Sequence, residues 1–128
     1  MEKELVRPKL DVSFLIAQHE LYIKRVELAI KNKEPFEHKE CGRYGIEKAC
    51  PFGKKFYTEI IPLLESFPPE VKKLLIQIEE LHCEFHQIGQ KIDTLNPEPS
   101  VFRELKDASL GLYQKLMELD RVLKSLSP

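Results

Sequence analysis

The sequence contains few glycines and no long apolar run. Tryptophan is absent, and only 5 glycines and 3 cysteines occur among 128 residues. No apolar stretch approaches the ~20 residues that a membrane-spanning helix needs. The opening residues, MEKELVRPKLD, also lack the hydrophobic stretch of a secretory signal. We therefore expect a cytoplasmic protein that does not interact with a membrane.

An excess of charge of one sign is also missing. The 20 Lys and Arg residues nearly balance the 21 Asp and Glu residues, which gives a net charge of -1 at pH 7. Phosphate recognition needs a basic surface, so nucleic acid is not expected as a partner. The cysteines, Cys41, Cys50 and Cys83, are odd in number, and reducing compartments keep thiols free. We therefore expect free thiols rather than disulfides.

Apolar residues recur at helical spacing in four segments of the chain. They predict helices over about 11–33, 54–67, 69–95 and 100–126, the second of which is interrupted by Pro62. No alternation typical of strands appears between turn residues. The predicted fold class is therefore all-α, and an antiparallel four-helix bundle is the simplest architecture for it.

The bundle is predicted to form one domain over residues 1–128. Asp11 and Ser100 can cap the first and the last helix, and the last one forms a C-terminal helix over about 100–126. A long connection that contains Cys41 and Cys50 joins the first two helices. Connections of this length are uncommon in compact domains unless they carry function or are held by another group.

Three of the four histidines lie on predicted helices. His19 follows the apolar spacing of the first helix and so faces the interior. His82 and His86 are one turn apart on the third helix, where two imidazoles can bind one metal ion. A lone inward histidine is more often an ordinary core residue, and such a pair also occurs by chance. A tetrahedral zinc site needs a fourth ligand, for which the connection offers the thiolate of Cys50 or, as the alternative, of Cys41.

The order of these histidines and Cys50 along the chain, and the motifs around them, resemble those of the chemoreceptor zinc-binding (CZB) domains of bacteria. That family has a histidine on the first helix, a Cys-x-x-Gly segment that opens the second, and a His-x-x-x-His pair on the third. The corresponding elements here are His19, the segment CPFGK that begins at Cys50, and the pair His82 and His86. The resemblance covers residues 19–86. It departs from the family where KFY replaces a segment that usually contains tryptophan.

The resemblance implies a zinc ion bound by His19, Cys50, His82 and His86, in a zinc-site core over residues 11–95. Four protein ligands leave no open position for a catalytic water, which is typical of a regulatory or structural site, and the protein is not expected to be an enzyme. The resemblance further implies a sensory protein of chemotaxis-like or cyclic-nucleotide signalling that responds to zinc or to oxidants. It would act as a homodimer or by docking on a separate signalling protein.

Two other functions fit the same sequence. In a metal-free helical interaction module, the histidines would be ordinary core residues. In an iron-binding helical bundle, they would join several inward carboxylates, but only one Glu-x-x-His pair, Glu79 and His82, is present. No nucleophile with a paired base is evident, which also argues against an enzyme.

Overall fold

The structure, a computed structural model, describes residues 10–126, and its helices fall in the four predicted segments. Residues 1–9, where no secretory signal was expected, and residues 127–128 lie outside the described part. Apart from one isolated bridge between Glu40 and Ala49, the described residues form helices and irregular connections, which confirms the all-α class. The α-helices of the described residues are α1 (Val12–Asn32), α2 (Pro51–Lys55), α3 (Pro69–Gly89) and α4 (Pro99–Leu126).

Helix α1 begins as the sequence predicts. The Asp11 carboxylate accepts a hydrogen bond from the backbone N–H of Phe14 at 3.0 Å and so caps the first turn. The helix ends when Lys33 adopts a left-handed backbone conformation, with φ of 56°. One face of the helix is buried along its whole length.

In the described part of the chain, no helix combines the length and apolar character that a membrane span requires.

The second segment changes its type of helix along its length. Helix α2 continues into a π-helical turn over Phe56–Ile60 and then into a 3₁₀ helix over Ile61–Ser66. Pro62 lies in the first turn of the 3₁₀ helix, where its missing N–H costs no intrahelical hydrogen bond. The predicted interruption at Pro62 therefore takes the form of a change in helix type rather than a gap.

Three helix ends differ from the prediction. Helix α2 begins at Pro51 and not near Lys54. Helix α3 ends at Gly89 and not near Leu95, because the chain leaves the helix through a turn in which the Ile92 N–H donates to the Gly89 carbonyl at 3.0 Å. Helix α4 begins at Pro99, so Ser100 lies inside its first turn and is not its cap. The fixed backbone angle of proline suits the first helical position.

The core consists of two apolar clusters. The first contains Leu15 of α1 and Ile78 of α3, and the second contains Tyr22 and Phe85 of the same two helices. Helix α4 packs against both α3 and α1 and contributes three buried leucines to the first cluster and Leu105 to the second. In α1 and in α3 a histidine falls between the residues of the two clusters. The helices thus place a layer of polar side chains within an otherwise apolar core.

The expectation that the thiols are free is wrong for two of them. Cys41 and Cys83 form a disulfide, and their Cα atoms lie 4.9 Å apart. Cys83 directly follows His82, and so it points ~100° away around α3, toward the connection that carries Cys41. Cys41 is therefore not available as an alternative metal ligand in this structure. Cys50 is the remaining free cysteine of the described residues.

Candidate metal centre

Three of the four predicted ligands lie together in the core. The ligand atoms of Cys50, His82 and His86 all lie within 4.8 Å of one another. The three residues are nearly inaccessible to solvent, with 4%, 1% and 3% of their surfaces exposed. Because buried polar groups are costly unless they are paired, such a cluster requires either internal hydrogen bonds or a bound ion.

The spacing of these atoms fits a tetrahedral metal ion. With Zn–S of ~2.3 Å and Zn–N of ~2.0 Å, two ligands of one tetrahedral zinc ion lie about 3.5 Å apart. The distance from Cys50 Sγ to His82 Nε2 is 3.3 Å. The ligand atom of His86 lies within 4.8 Å of these two atoms. The residues present therefore fit a zinc ion in size and in donor type.

Cys50 is held in place as the N-cap of α2. Its Sγ accepts a hydrogen bond from the Gly53 N–H at 3.3 Å, and its own N–H donates to the Glu40 carbonyl at 3.0 Å. A Cβ atom at position 53 would overlap the carbonyl oxygen of Cys41, so only glycine lets the connection pack this closely on α2. The Cys-x-x-Gly motif thus both orients the thiol and admits the connection beside it.

The ring of His86 is oriented by a backbone carbonyl. His86 Nδ1 lies 2.9 Å from the carbonyl oxygen of Lys39, which also accepts a hydrogen bond from the Gln90 side chain at 2.8 Å. A carbonyl oxygen can only accept, so Nδ1 carries the hydrogen and Nε2 keeps its lone pair. This is the arrangement in which metal-binding histidines are commonly held.

The ring of His82 is fixed by aromatic neighbours. It stacks on Phe52 with a centroid distance of 4.0 Å and an interplanar angle of 18°. It also meets the His86 ring edge to face at 4.7 Å. Since Phe52 belongs to α2, the same helix that Cys50 caps also positions one imidazole ligand.

The electrostatics of the cluster favour uncharged forms at neutral pH. Burial lowers the pKa of His82 well below its usual range and lowers the pKa of His86 to about 4. Burial also raises the pKa of the Cys50 thiol. At pH 7 the cluster therefore presents two neutral imidazoles and one protonated thiol. A divalent ion would bind it by displacing the thiol proton.

His19, the fourth predicted ligand, is buried but lies outside this close group. Its Nε2 is 2.7 Å from the hydroxyl oxygen of Ser109 on α4, and its ring contacts Phe85 edge to face at 4.5 Å. Burial lowers its pKa to about 4, so this imidazole is also neutral at pH 7. The predicted inward orientation of His19 is confirmed, whereas its role as a ligand stays a prediction.

Two groups beside the centre were missed from the sequence. The Lys39 carbonyl is a backbone group, and no residue type signals its position. The hydroxyl of Tyr22 is buried without a hydrogen-bond partner among the described residues, and its ring lies 4.9 Å from that of His86. Tyr22 follows His19 by three residues, and helical spacing does place it on the same inward face, but that spacing does not show that its hydroxyl lies beside His86.

The neutral ligand set predicts how zinc binding depends on pH. One proton leaves Cys50 for each ion bound, while the imidazoles have none to lose, so the association constant rises about tenfold per pH unit near neutrality. Competition with a chromogenic chelator, measured at several pH values, checks this slope. A slope near zero would mean that the thiol is not a ligand. A slope near two would mean that a second protonated group must ionise.

Comparison with known proteins finds no relative of this chain. No protein-family model matches it, and neither a curated protein nor a solved structure does so. The interpretation of the centre therefore rests on the side chains described above.

Proposed function

We propose that the protein is a zinc-binding regulatory protein in which Cys50, His82 and His86 bind one Zn²⁺ ion. The observation that carries the proposal is the buried free thiol 3.3 Å from an imidazole nitrogen. A second imidazole beside it already has its Nδ1–H engaged by a carbonyl. One thiolate with imidazoles is a donor set that suits zinc rather than calcium or magnesium, which prefer oxygen.

His19 completes the proposed site as its fourth ligand. If its Nε2–H donates to Ser109, its Nδ1 carries the lone pair that would bind the ion. Four protein ligands would close the coordination sphere, so the proposed role is regulatory or structural and not enzymatic. The ion would tie α1 and α3 to the connection, within the antiparallel four-helix bundle that the sequence favours.

The biological role that we propose follows the resemblance to CZB domains. The protein would act in chemotaxis-like or cyclic-nucleotide signalling in the cytoplasm, where zinc or an oxidant changes the segment that carries Cys50. Support for homodimerisation comes from α4, where Leu110 and Met117 are exposed at an interval of two helical turns. The same face would otherwise receive a separate signalling protein.

Replacing zinc with Co²⁺ tests the ligand set directly. We expect a thiolate-to-cobalt charge-transfer band and the intense visible bands of a tetrahedral ion. His19→Ala should alter the visible bands, whereas Ser109→Ala, which removes only the hydroxyl partner of His19, should preserve them. The weak spectrum of a hydrated cobalt ion in the unmodified protein would contradict the proposal.

One observation favours a second candidate, the metal-free helical interaction module. His19, His86 and the pair of Cys50 and His82 all have hydrogen-bond partners within the protein. An ordinary polar layer in the core would be satisfied in the same way. For this candidate, neither chelators nor added zinc would change the thermal stability of the protein.

A further inference from the structure

The Cys41–Cys83 disulfide lies beside the metal centre and has no role in the proposed function. Cys83 directly follows the ligand His82 on α3. Cys41 comes two residues after Lys39, whose carbonyl orients His86. The disulfide therefore fastens the connection to α3 at the point where the connection touches the centre.

The Cys41–Cys83 disulfide also positions Cys50. The Glu40 N–H donates to the Lys48 carbonyl at 2.8 Å, and the Cys50 N–H donates to the Glu40 carbonyl at 3.0 Å. These bonds close residues 40–50 into a loop whose two ends lie side by side. Because one end is bonded covalently to α3 through Cys41, the other end, which carries the thiol ligand, is held near α3 as well.

Two ion pairs also join this loop to α3, but they are weaker restraints than the disulfide. Arg43 lies 3.4 Å from a carboxylate oxygen of Glu79 and 3.1 Å from one of Glu80, but both pairs are in contact with solvent. Ion pairs of this kind add little to stability, since water and salt screen them. The disulfide is thus the strongest link between the loop and α3.

The disulfide is within reach of a reagent in solution. A cavity of about 320 Å³ opens on this side of the protein, and Cys41, Cys83 and the ligand His86 are among its lining residues. Cys41 and Cys83 expose 8% and 5% of their surfaces. A small dithiol can enter a cavity of this size.

We propose that the Cys41–Cys83 disulfide is an exchange site for a dithiol and that its reduction weakens metal binding at Cys50, His82 and His86. A thiolate of the dithiol attacks one sulfur of the disulfide, which forms a mixed disulfide and releases the other cysteine as a thiolate. The second thiol of the reagent then attacks the mixed disulfide and releases the remaining cysteine. Two electrons and two protons pass to Cys41 and Cys83, and the dithiol leaves as a disulfide. This inference rests on the proposed zinc binding.

Zinc affinity measured in both redox states tests the coupling. The full chain is reduced with a phosphine under argon and freed of reagent, and its zinc dissociation constant is compared with that of the oxidised chain by chelator competition. We expect binding to weaken roughly tenfold to hundredfold, as when groups that orient metal ligands are lost. The double variant Cys41→Ser/Cys83→Ser should reproduce the reduced chain, and far-ultraviolet circular dichroism checks that both remain helical.

Exchange with a dithiol is tested on the native protein. The protein is incubated with dithiothreitol and then alkylated with iodoacetamide. Its mass should show two more carbamidomethyl groups per chain than that of a sample alkylated without dithiothreitol. Reduction that occurs only after unfolding in urea would overturn the proposal, and so would equal or tighter zinc binding by the reduced chain.

The outcomes also separate this proposal from the one on which it rests. If the oxidised chain binds zinc and the reduced chain binds it equally well, only the coupling fails. If neither form binds zinc, the proposed zinc function fails and the coupling fails with it. The single variant Cys50→Ser serves as the control, because it should lose zinc while retaining the Cys41–Cys83 disulfide.

Discussion

Cys50→Ser will weaken zinc binding by more than about 100-fold. Loss of a group that only orients a metal ligand already lowers metal affinity by up to about 100-fold, and Cys50 is a ligand itself. The thiolate is the only anionic ligand of the proposed site, and a serine hydroxyl does not ionise near neutral pH. His82→Gln removes a ligand from the same buried cluster and should have an effect of similar size. Isothermal titration or competition with a chelator of known affinity measures both.

His38→Gln is the matched control for these variants. His38 lies on the connection outside the three-residue cluster, and its Nε2 is 2.7 Å from the carbonyl oxygen of Ile92. The His38→Gln variant should bind zinc with the same affinity as the unmodified protein. If Cys50→Ser also retained an affinity within a few-fold of the unmodified protein, the thiol would not be a ligand.

Removal of zinc will lower the melting temperature by more than about 10 °C. Free zinc at 1,000 times its Kd stabilises the folded state by about 4 kcal/mol. Each kcal/mol moves the melting temperature of a chain of this size by roughly 3–5 °C. Through Cys50, the ion would add a second link between the connection over residues 33–50, which contains no helix, and α3, beside the Cys41–Cys83 disulfide.

Calorimetric scans with and without a chelator measure this shift. Cys50→Ser should melt at the same temperature in both conditions, which separates loss of the bound ion from a direct effect of the chelator. Superimposable scans of the unmodified protein would instead favour the metal-free interaction module.

The features that sequence predicted well depend on local spacing. The apolar period of α1 and the cap at Asp11 are set by residues within a few turns of each other, and both are confirmed. The pair His82 and His86 is one helical turn apart, so its shared face follows from the helix alone. Cys50 caps α2 as the resemblance to a Cys-x-x-Gly segment implies, although the apolar spacing alone predicts that helix only from about residue 54.

The features that sequence missed depend on the path of the connection. The partners in the Cys41–Cys83 disulfide are 42 residues apart, and no local pattern shows that they meet. The contact of Lys39 with His86 uses a backbone oxygen, which every residue has. The Ser109 hydroxyl that engages His19 comes from α4, whose register against α1 is set by packing of the whole core. Each of these depends on tertiary structure.

The metal content of the purified protein tests zinc binding most directly. The chain would be prepared without chelators and without a metal-affinity resin, and its zinc, iron and other transition metals would be quantified by elemental analysis beside those of Cys50→Ser. We predict about one zinc per chain in the unmodified protein, as for a single four-ligand site, and almost none in the variant. A metal-free unmodified protein that also fails to take up added zinc would contradict the proposed function.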